Sequence, residues 1–195
     1  MREMRIPLAL AAALALAGCF SFGPKTPPSL LTLTAAEALP AGTSRTAEAS
    51  AAITVLAPSV PQELRANRVP VRSGGTAVAY LKDAAWVEPP AALFGRLVAE
   101  TISARTGRVV LDPRQFSFDP GTRLTGQLQS FGIDADRSEV VLIYDAALAR
   151  GATGVETRRF EARVALPTID ATAAAPALNQ AANQVAMQVA DWIGR

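Results

Sequence analysis

The sequence contains no histidine. That removes the side chain that most often serves as general base or metal ligand near neutral pH. It has one cysteine, Cys19, so no disulfide can form within the chain. Lysine is nearly absent: only Lys25 and Lys82 occur, and the other cations are arginines. Neither charge sign dominates, with 19 basic and 17 acidic residues. A nucleic-acid partner usually requires a basic patch, so that class is disfavoured. Calcium loops of the hand type are missing too. Asp112, Asp119, Asp134, Asp136 and Asp145 are scattered, with no Asp/Asn-rich loop closed by Glu. Asp134 and Asp136 read as turn residues. Gly151-Ala152-Thr153-Gly154 lacks the lysine and following helix of a phosphate loop and reads as a hairpin loop. Composition leaves room for a Ser-Lys or carboxylate pair, but no residue pattern points to one. The expectation is no catalytic residue, no metal and no cofactor.

What is present is concentrated at the start. Arg2 and Arg5 precede an apolar run from Ile6 to Gly18, mostly Ala and Leu. Leu16-Ala17-Gly18-Cys19 follows. Positive end, apolar core and small residues are the order of a secretory signal peptide. The run is too short for a membrane-spanning helix, which needs roughly 17–25 residues. The competing reading is a lone Cys packed as a small hydrophobe. The small residues ending at Cys19 resemble the lipobox of bacterial lipoproteins. That resemblance implies cleavage before Cys19 and a thioether-linked lipid on its thiol. Acyl chains contribute about 0.8 kcal/mol per buried methylene, and two or more give stable anchoring. Phe20, not Asp, follows Cys19; by resemblance to the bacterial sorting pattern this leans toward the periplasmic face of the outer membrane. Removing residues 1–18 from 195 leaves 177, enough for one domain with a real core. It also removes Arg2, Arg5 and Glu3, leaving a net charge of +1. The organisation expected is a signal over 1–18, a Pro-rich tether over 19–28 and a single domain over 29–195.

The mature chain reads as strands, a helix, strands and a final helix. Residues 29–34 alternate Leu and Thr and predict a first strand; 35–50 read as a loop. Ile53, Val55 and Leu56 predict a second strand, ended by Pro58 and Pro61. Ser73-Gly74-Gly75 predicts a turn, with a hairpin between 69–72 and 76–81. Phe94, Leu97, Val98, Thr101 and Ile102 form the stripe of a helix over 91–105, begun by Pro89-Pro90 and stopped by Gly107. A short strand at 109–111 follows, then a longer one at 123–133. In the latter, Leu124, Gly126 and Leu128 differ in parity from Phe131 and Ile133, so a bulge or twist is expected near Ser130. Residues 138–149 put Val140, Leu142, Tyr144, Ala146 and Leu148 on one face. Residues 155–166 alternate Phe160, Ala162, Val164 and Leu166 inward with Arg159, Glu161 and Arg163 outward. Residues 167–176 read as a linker. The last helix is expected over 176–193, with a narrow stripe of Leu178, Ala182, Val185, Val189 and Trp192 and an Ala-rich flank. The fold class expected is α+β: a mostly antiparallel sheet with two amphipathic helices packed on one face.

This pattern resembles the ABC-type transport auxiliary lipoproteins, the group containing the third component of paraquat-inducible envelope systems. The resemblance rests on Leu30-Leu31-Thr32-Leu33 after the tether, Ile53-Thr54-Val55 leading to Pro58 and Pro61, and Leu64 to Pro70. It continues through Tyr80 and Ala85-Trp86, the helix with Leu93, Leu97 and Ile102, Leu124 to Phe131, and the closing helix to Trp192. One departure is Val87-Glu88-Pro89-Pro90, where relatives often pass from Trp through an acidic residue and Leu directly into the helix. The resemblance implies a non-enzymatic, lipid-anchored accessory component of an MCE-associated ABC transporter that moves lipids or other hydrophobic solutes across the envelope. Its implied partners are an MCE-domain periplasmic protein and a permease/ATPase complex on separate chains. The membrane is met through the N-terminal lipid, and a homo-oligomer could form through the Ala-rich face of the last helix. The reading from another class is a structural or assembly lipoprotein without a transport role.

Cys19 is the lipidation candidate. Phe20 and Phe22 are either membrane-dipping aromatics or ordinary tether. Tyr80 and Trp86 are interface candidates, since aromatics with a polar handle favour interfaces, though packing under the sheet explains such residues more often. Trp192 reads as core. Arg65, Arg68 and Arg72 are candidates for lipid phosphates or an acidic partner surface, with plain solvation as the alternative.

Overall fold

The computed structural model describes residues 30–48, 51–113, 121–151 and 154–194. In chain order the elements are β1 (Leu30–Leu31), β2 (Ile53–Val55), a 3-10 turn (Gln62–Leu64), β3 (Pro70–Ser73), β4 (Ala77–Tyr80), β5 (Ala85–Trp86), α1 (Pro90–Thr106), β6 (Val110–Leu111), β7 (Thr122–Asp134), β8 (Glu139–Arg150), β9 (Val155–Ala165) and α2 (Ala171–Ile193).

The sheet is built around β7. Strand β8 pairs antiparallel with it from Thr122↔Arg150 to Asp134↔Glu139, and β9 pairs antiparallel with β8. The other edge of β7 is shared. Strand β2 joins its first half in parallel (Val55↔Leu124), and β3 joins its last residues in parallel (Val71↔Ile133). Strand β6 extends the sheet beyond β2 in parallel, and β4 extends it beyond β3 in antiparallel. Strands β1 and β5 form a separate parallel pair.

The expectation of a mostly antiparallel sheet is therefore corrected. Strand pairing is mixed, and over the two sheets together the parallel pairs β1–β5, β2–β6, β2–β7 and β3–β7 outnumber the antiparallel pairs β3–β4, β7–β8 and β8–β9. The physical reason is that residue alternation reports which face a side chain takes, not which way the neighbouring strand runs. Parallel neighbours require long crossovers. The crossover between β2 and β6 spans the hairpin and α1, and has no local signature.

The register of β7 against β8 shifts between Leu128 and Ser130. This bulge turns Phe131 and Ile133 to the same buried side as Leu124 and Leu128. Both helices pack against the sheet and against each other, and one cluster joins Leu97 and Ile102 of α1 to Val185 and Val189 of α2 and Leu142 and Phe160 of the sheet. Three ring pairs mark it: Trp86–Phe131 (5.1 Å), Phe94–Tyr144 (5.2 Å, edge to face) and Phe160–Trp192 (5.5 Å). Gly107 ends α1 at φ 74°, with its N–H donated to the Ser103 carbonyl.

Helix α2 is longer than expected. It starts at Ala171, because Asp170 caps it by accepting from the Ala173 N–H at 2.9 Å. Pro176 thus lies inside the helix, not at its start. The stripe is also wider than expected. Ala174, Ala177, Ala181, Ala186 and Ala190 are buried with the larger residues, so the Ala-rich flank is covered within the protomer. In place of a strand through Thr34, the early segment is held by side chains. The Thr34 and Ala36 N–H groups donate to Asn179 Oδ1 (2.9 Å) and Asn183 Oδ1 (2.7 Å), and Asn183 Nδ2 donates to the Thr34 carbonyl (2.9 Å). Two amides one helical turn apart therefore clasp the incoming chain to α2.

Candidate docking surface at the β3 to β4 hairpin

The 3-10 turn is anchored by Leu64, which is fully buried. It leads to Val69, also buried, and then to β3. Pro70 suits its place: opposite Tyr80, its missing N–H takes nothing from the β3–β4 ladder. The hairpin closes through Gly74 and Gly75, both at positive φ (57° and 74°), where glycine is favoured. The Gly74 N–H donates to Asp136 Oδ2 at 2.8 Å, tying the hairpin tip to the turn after β7.

Four of the sequence candidates meet here or close by. Tyr80 is half-buried, and its hydroxyl donates to the Glu63 carbonyl at 3.3 Å. The Arg68 guanidinium lies over the Tyr80 ring, 4.7 Å from its centroid. Arg72 is exposed and pairs with the Glu63 carboxylate. Arg65 is exposed on the turn just after the 3-10 segment. Trp86 is placed differently: it is 2% exposed and packs on Phe131. Its backbone N–H donates to the Asn67 carbonyl at 3.0 Å, so it holds the arginine-bearing loop from beneath. Its indole N–H is buried without a hydrogen-bond partner. Trp192 is likewise in the core, with its indole N–H donated to Glu156 Oε1 at 2.6 Å. Cys19, Phe20, Phe22 and Asp119 lie outside the described residues.

Glu63 is the member that sequence reading missed. It links Arg72 and Tyr80, but only the register Pro70↔Tyr80 and Arg72↔Val78 brings those two to the same turn. No spacing within residues 62–65 signals that.

Beside the hairpin, a concavity of about 450 Å³ lies between β3 and the end of β7, lined by Arg72, Ser73, Gly132, Asp136, Arg137 and Arg163. Its cations are neutralised: Arg72 by Glu63, Arg137 by Asp134, and Arg163 by Glu139 and Glu161. The Arg137 hydrogen bond holds the Asp134 carboxyl below its ordinary value. Likewise, Arg159 and then Gln129 hold Asp145 low, against the effect of its partial burial. These are structural ion pairs on the sheet's outer side. They leave no surplus positive charge to attract a phosphate. A second, more apolar groove of about 550 Å³ runs between α1 and β2–β6, lined by Val55, Ala57, Ala92, Gly95, Ala99 and Val110. Among the described residues, no group of three or more His, Cys, Asp or Glu is placed to hold a metal ion. No helix among them is long and apolar enough to cross a membrane.

This fold has known counterparts. The backbone is similar to the crystal structure of a Xanthomonas campestris protein, with a TM-score of 0.70 at 19% identity over 85% of this chain and 94% of that one. It is also similar to the crystal structure of an uncharacterised protein, with a TM-score of 0.65 at 17% identity over 74% of this chain and 92% of that one. At such identities the likeness is one of fold. No curated protein matches the chain. The sequence itself matches the family described as ABC-type transport auxiliary lipoprotein component over residues 31–190. The match runs from Leu31, buried beside Trp86, to Ala190 near the end of α2, so it takes in the hairpin, both helices and the whole sheet. The chain belongs to the ABC-type transport auxiliary lipoprotein family, and is an auxiliary transport component, not an enzyme.

Proposed function

We propose that this chain is a lipid-anchored accessory component of an MCE-associated ABC transporter that moves lipids or other hydrophobic solutes across the cell envelope. The observation that carries the reading is the family match across residues 31–190. The signal pattern ending at Cys19 supports an anchor of acyl chains on that residue, followed by a tether over 19–28. The role is docking, not chemistry. The lipid holds the domain at the periplasmic face of the outer membrane. A protein face then meets the MCE-domain protein, with the permease and ATPase on separate chains. Tyr80, Arg65, Arg68 and Arg72 are the residues offered to that partner, and Trp86 supports them from within.

The test is co-purification from crosslinked, detergent-solubilised membranes, with Cys19→Ala as control. Recovery of an MCE-domain protein or its permease, weakened in the control, is the expected result. Reproducible recovery of only unrelated envelope proteins at matched expression overturns the transport role in favour of a structural or assembly lipoprotein.

A further inference from the structure

The β4 strand ends the sheet on one side: β3 is its one strand partner among the described residues. Its register shows which backbone groups are left over. The Leu81 N–H donates to the Val69 carbonyl at 2.9 Å. In an antiparallel ladder, hydrogen-bonded and non-hydrogen-bonded pairs alternate. Ala79 and Ala77 therefore bond to Val71 and Ser73, while the N–H and C=O groups of Val78 and Tyr80 point away from β3. A row of such groups is a template for another strand. Edges are ordinarily blunted by charge, proline or a bulge within the strand. This one reads Ala-Val-Ala-Tyr, with a regular register and with Ala77, Val78 and Ala79 exposed.

Its two faces are shaped as well. On one side Val78 and Tyr80 line a concavity with Pro61, Gln62 and Ala66. On the other Ala79 and Leu81 line one with Ile169 and Thr172. Alternate side chains of an added strand would point into each in turn. The rim is positive. Arg65, Arg68 and Lys82 have no carboxylate partner among the described residues, whereas Arg72 is matched by Glu63. Asp83 and Asp170 on the second concavity offset two of these three charges, and the balance remains basic by one.

We infer that β4 accepts an extended, acid-flanked segment of a partner protein as an added strand, with Val78 and Tyr80 supplying the backbone hydrogen bonds and Arg65, Arg68 and Lys82 the charge selection. Affinity comes from the main chain and specificity from the side pockets and rim. The inference deepens the docking role proposed above and rests on it.

The test uses the full-length chain in detergent and a synthetic nine-residue peptide, alternating Val and Thr with two glutamates at each end. A control peptide carries lysines in place of the glutamates. The Val78→Pro variant removes an outward N–H that the β3–β4 ladder does not use, so the hairpin is retained. Arg68→Glu reverses one rim charge. The expected result is binding of the acidic peptide with slowed amide exchange at Val78 and Tyr80, at least tenfold weakening by Val78→Pro, several-fold weakening by Arg68→Glu and at least tenfold weaker binding of the lysine peptide. Equal binding of both peptides, or indifference to Val78→Pro in a variant with unchanged melting, overturns the inference. So does concentration-dependent dimerisation abolished by Val78→Pro with no peptide binding, which assigns the edge to a second copy. Binding to anionic phospholipid vesicles that Arg68→Glu abolishes and Val78→Pro leaves intact overturns it in favour of a lipid surface. The peptide assay is independent of the transporter co-purification, so either reading can fail alone.

Discussion

Asn183 is 6% exposed and carries two of the bonds that tie residues 34–36 to α2, with a third, from Nδ2 to the Asn179 carbonyl, inside the helix. Truncation to Ala would leave the Ala36 N–H and Thr34 carbonyl without these partners. A loss of about 1–3 kcal/mol is expected for such a group, read as a lower urea midpoint at unchanged slope. Gly126 is a second single-residue dependency. A Cβ there would stand 2.3 Å from the Asp145 carbonyl oxygen and 2.6 Å from the Tyr144 ring. Tyr144 crosses that gap and donates its hydroxyl to the Thr125 carbonyl at 3.0 Å. Gly126→Ala should cost about 1–3 kcal/mol by overpacking, measured in the same titration. Both dependencies were hidden in the sequence. Asn183 looks like an ordinary polar helix residue, and Gly126 only marks a strand position without a side chain.

Acid sensitivity is also set at the residue scale. Asp145 accepts from Arg159 Nε (2.6 Å) and Nη2 (2.7 Å) and from Gln129 Nε2 (3.0 Å), which holds its carboxyl low. A carboxyl with a depressed folded value contributes fully above its unfolded value, about 4. Its contribution is lost as pH falls through the folded value. With no histidine in the chain, the melting temperature should be flat between pH 6 and 8 and fall below about pH 4. Asp145→Asn should make that acid limb shallower.

At the scale of elements, Pro176 sits in the sixth position of α2, where its ring removes the N–H that would reach Thr172. Proline in a helix interior costs up to about 3 kcal/mol. The helix is kept by its Asp170 cap and by the burial of Ala174, Ala177 and Leu178. Pro176→Ala should therefore raise stability, seen as a higher denaturation midpoint. The proline is also why residues 167–176 read as a linker: local propensity pointed one way and tertiary packing decided the other. The hairpin shows the opposite case. Gly74-Gly75 between two short β-prone runs was legible, since glycine at positive φ is a local requirement. So was the bulge in β7, because parity along one strand is a property of that strand alone.

For the whole molecule, the domain should begin at Leu30. A chain starting there is expected to melt as the full chain does. A chain starting at Glu37 loses Leu31 from beside Trp86 and the whole amide clasp. It should be less stable by at least about 2 kcal/mol from the lost apolar burial alone, a difference visible in a thermal melt. By itself the sequence determined the signal pattern ending at Cys19, the helix stripes, the inward faces of β8 and β9 and the absence of imidazole chemistry. Each of these is a short-range pattern or a count. Only the tertiary structure decided that β7 shares one edge between two parallel strands, that Trp86 is buried while Tyr80 reaches the surface, and that Glu63 joins Arg72 and Tyr80. Those facts depend on which distant segments lie side by side, and crossover direction and long-range pairing leave no periodic trace in the chain.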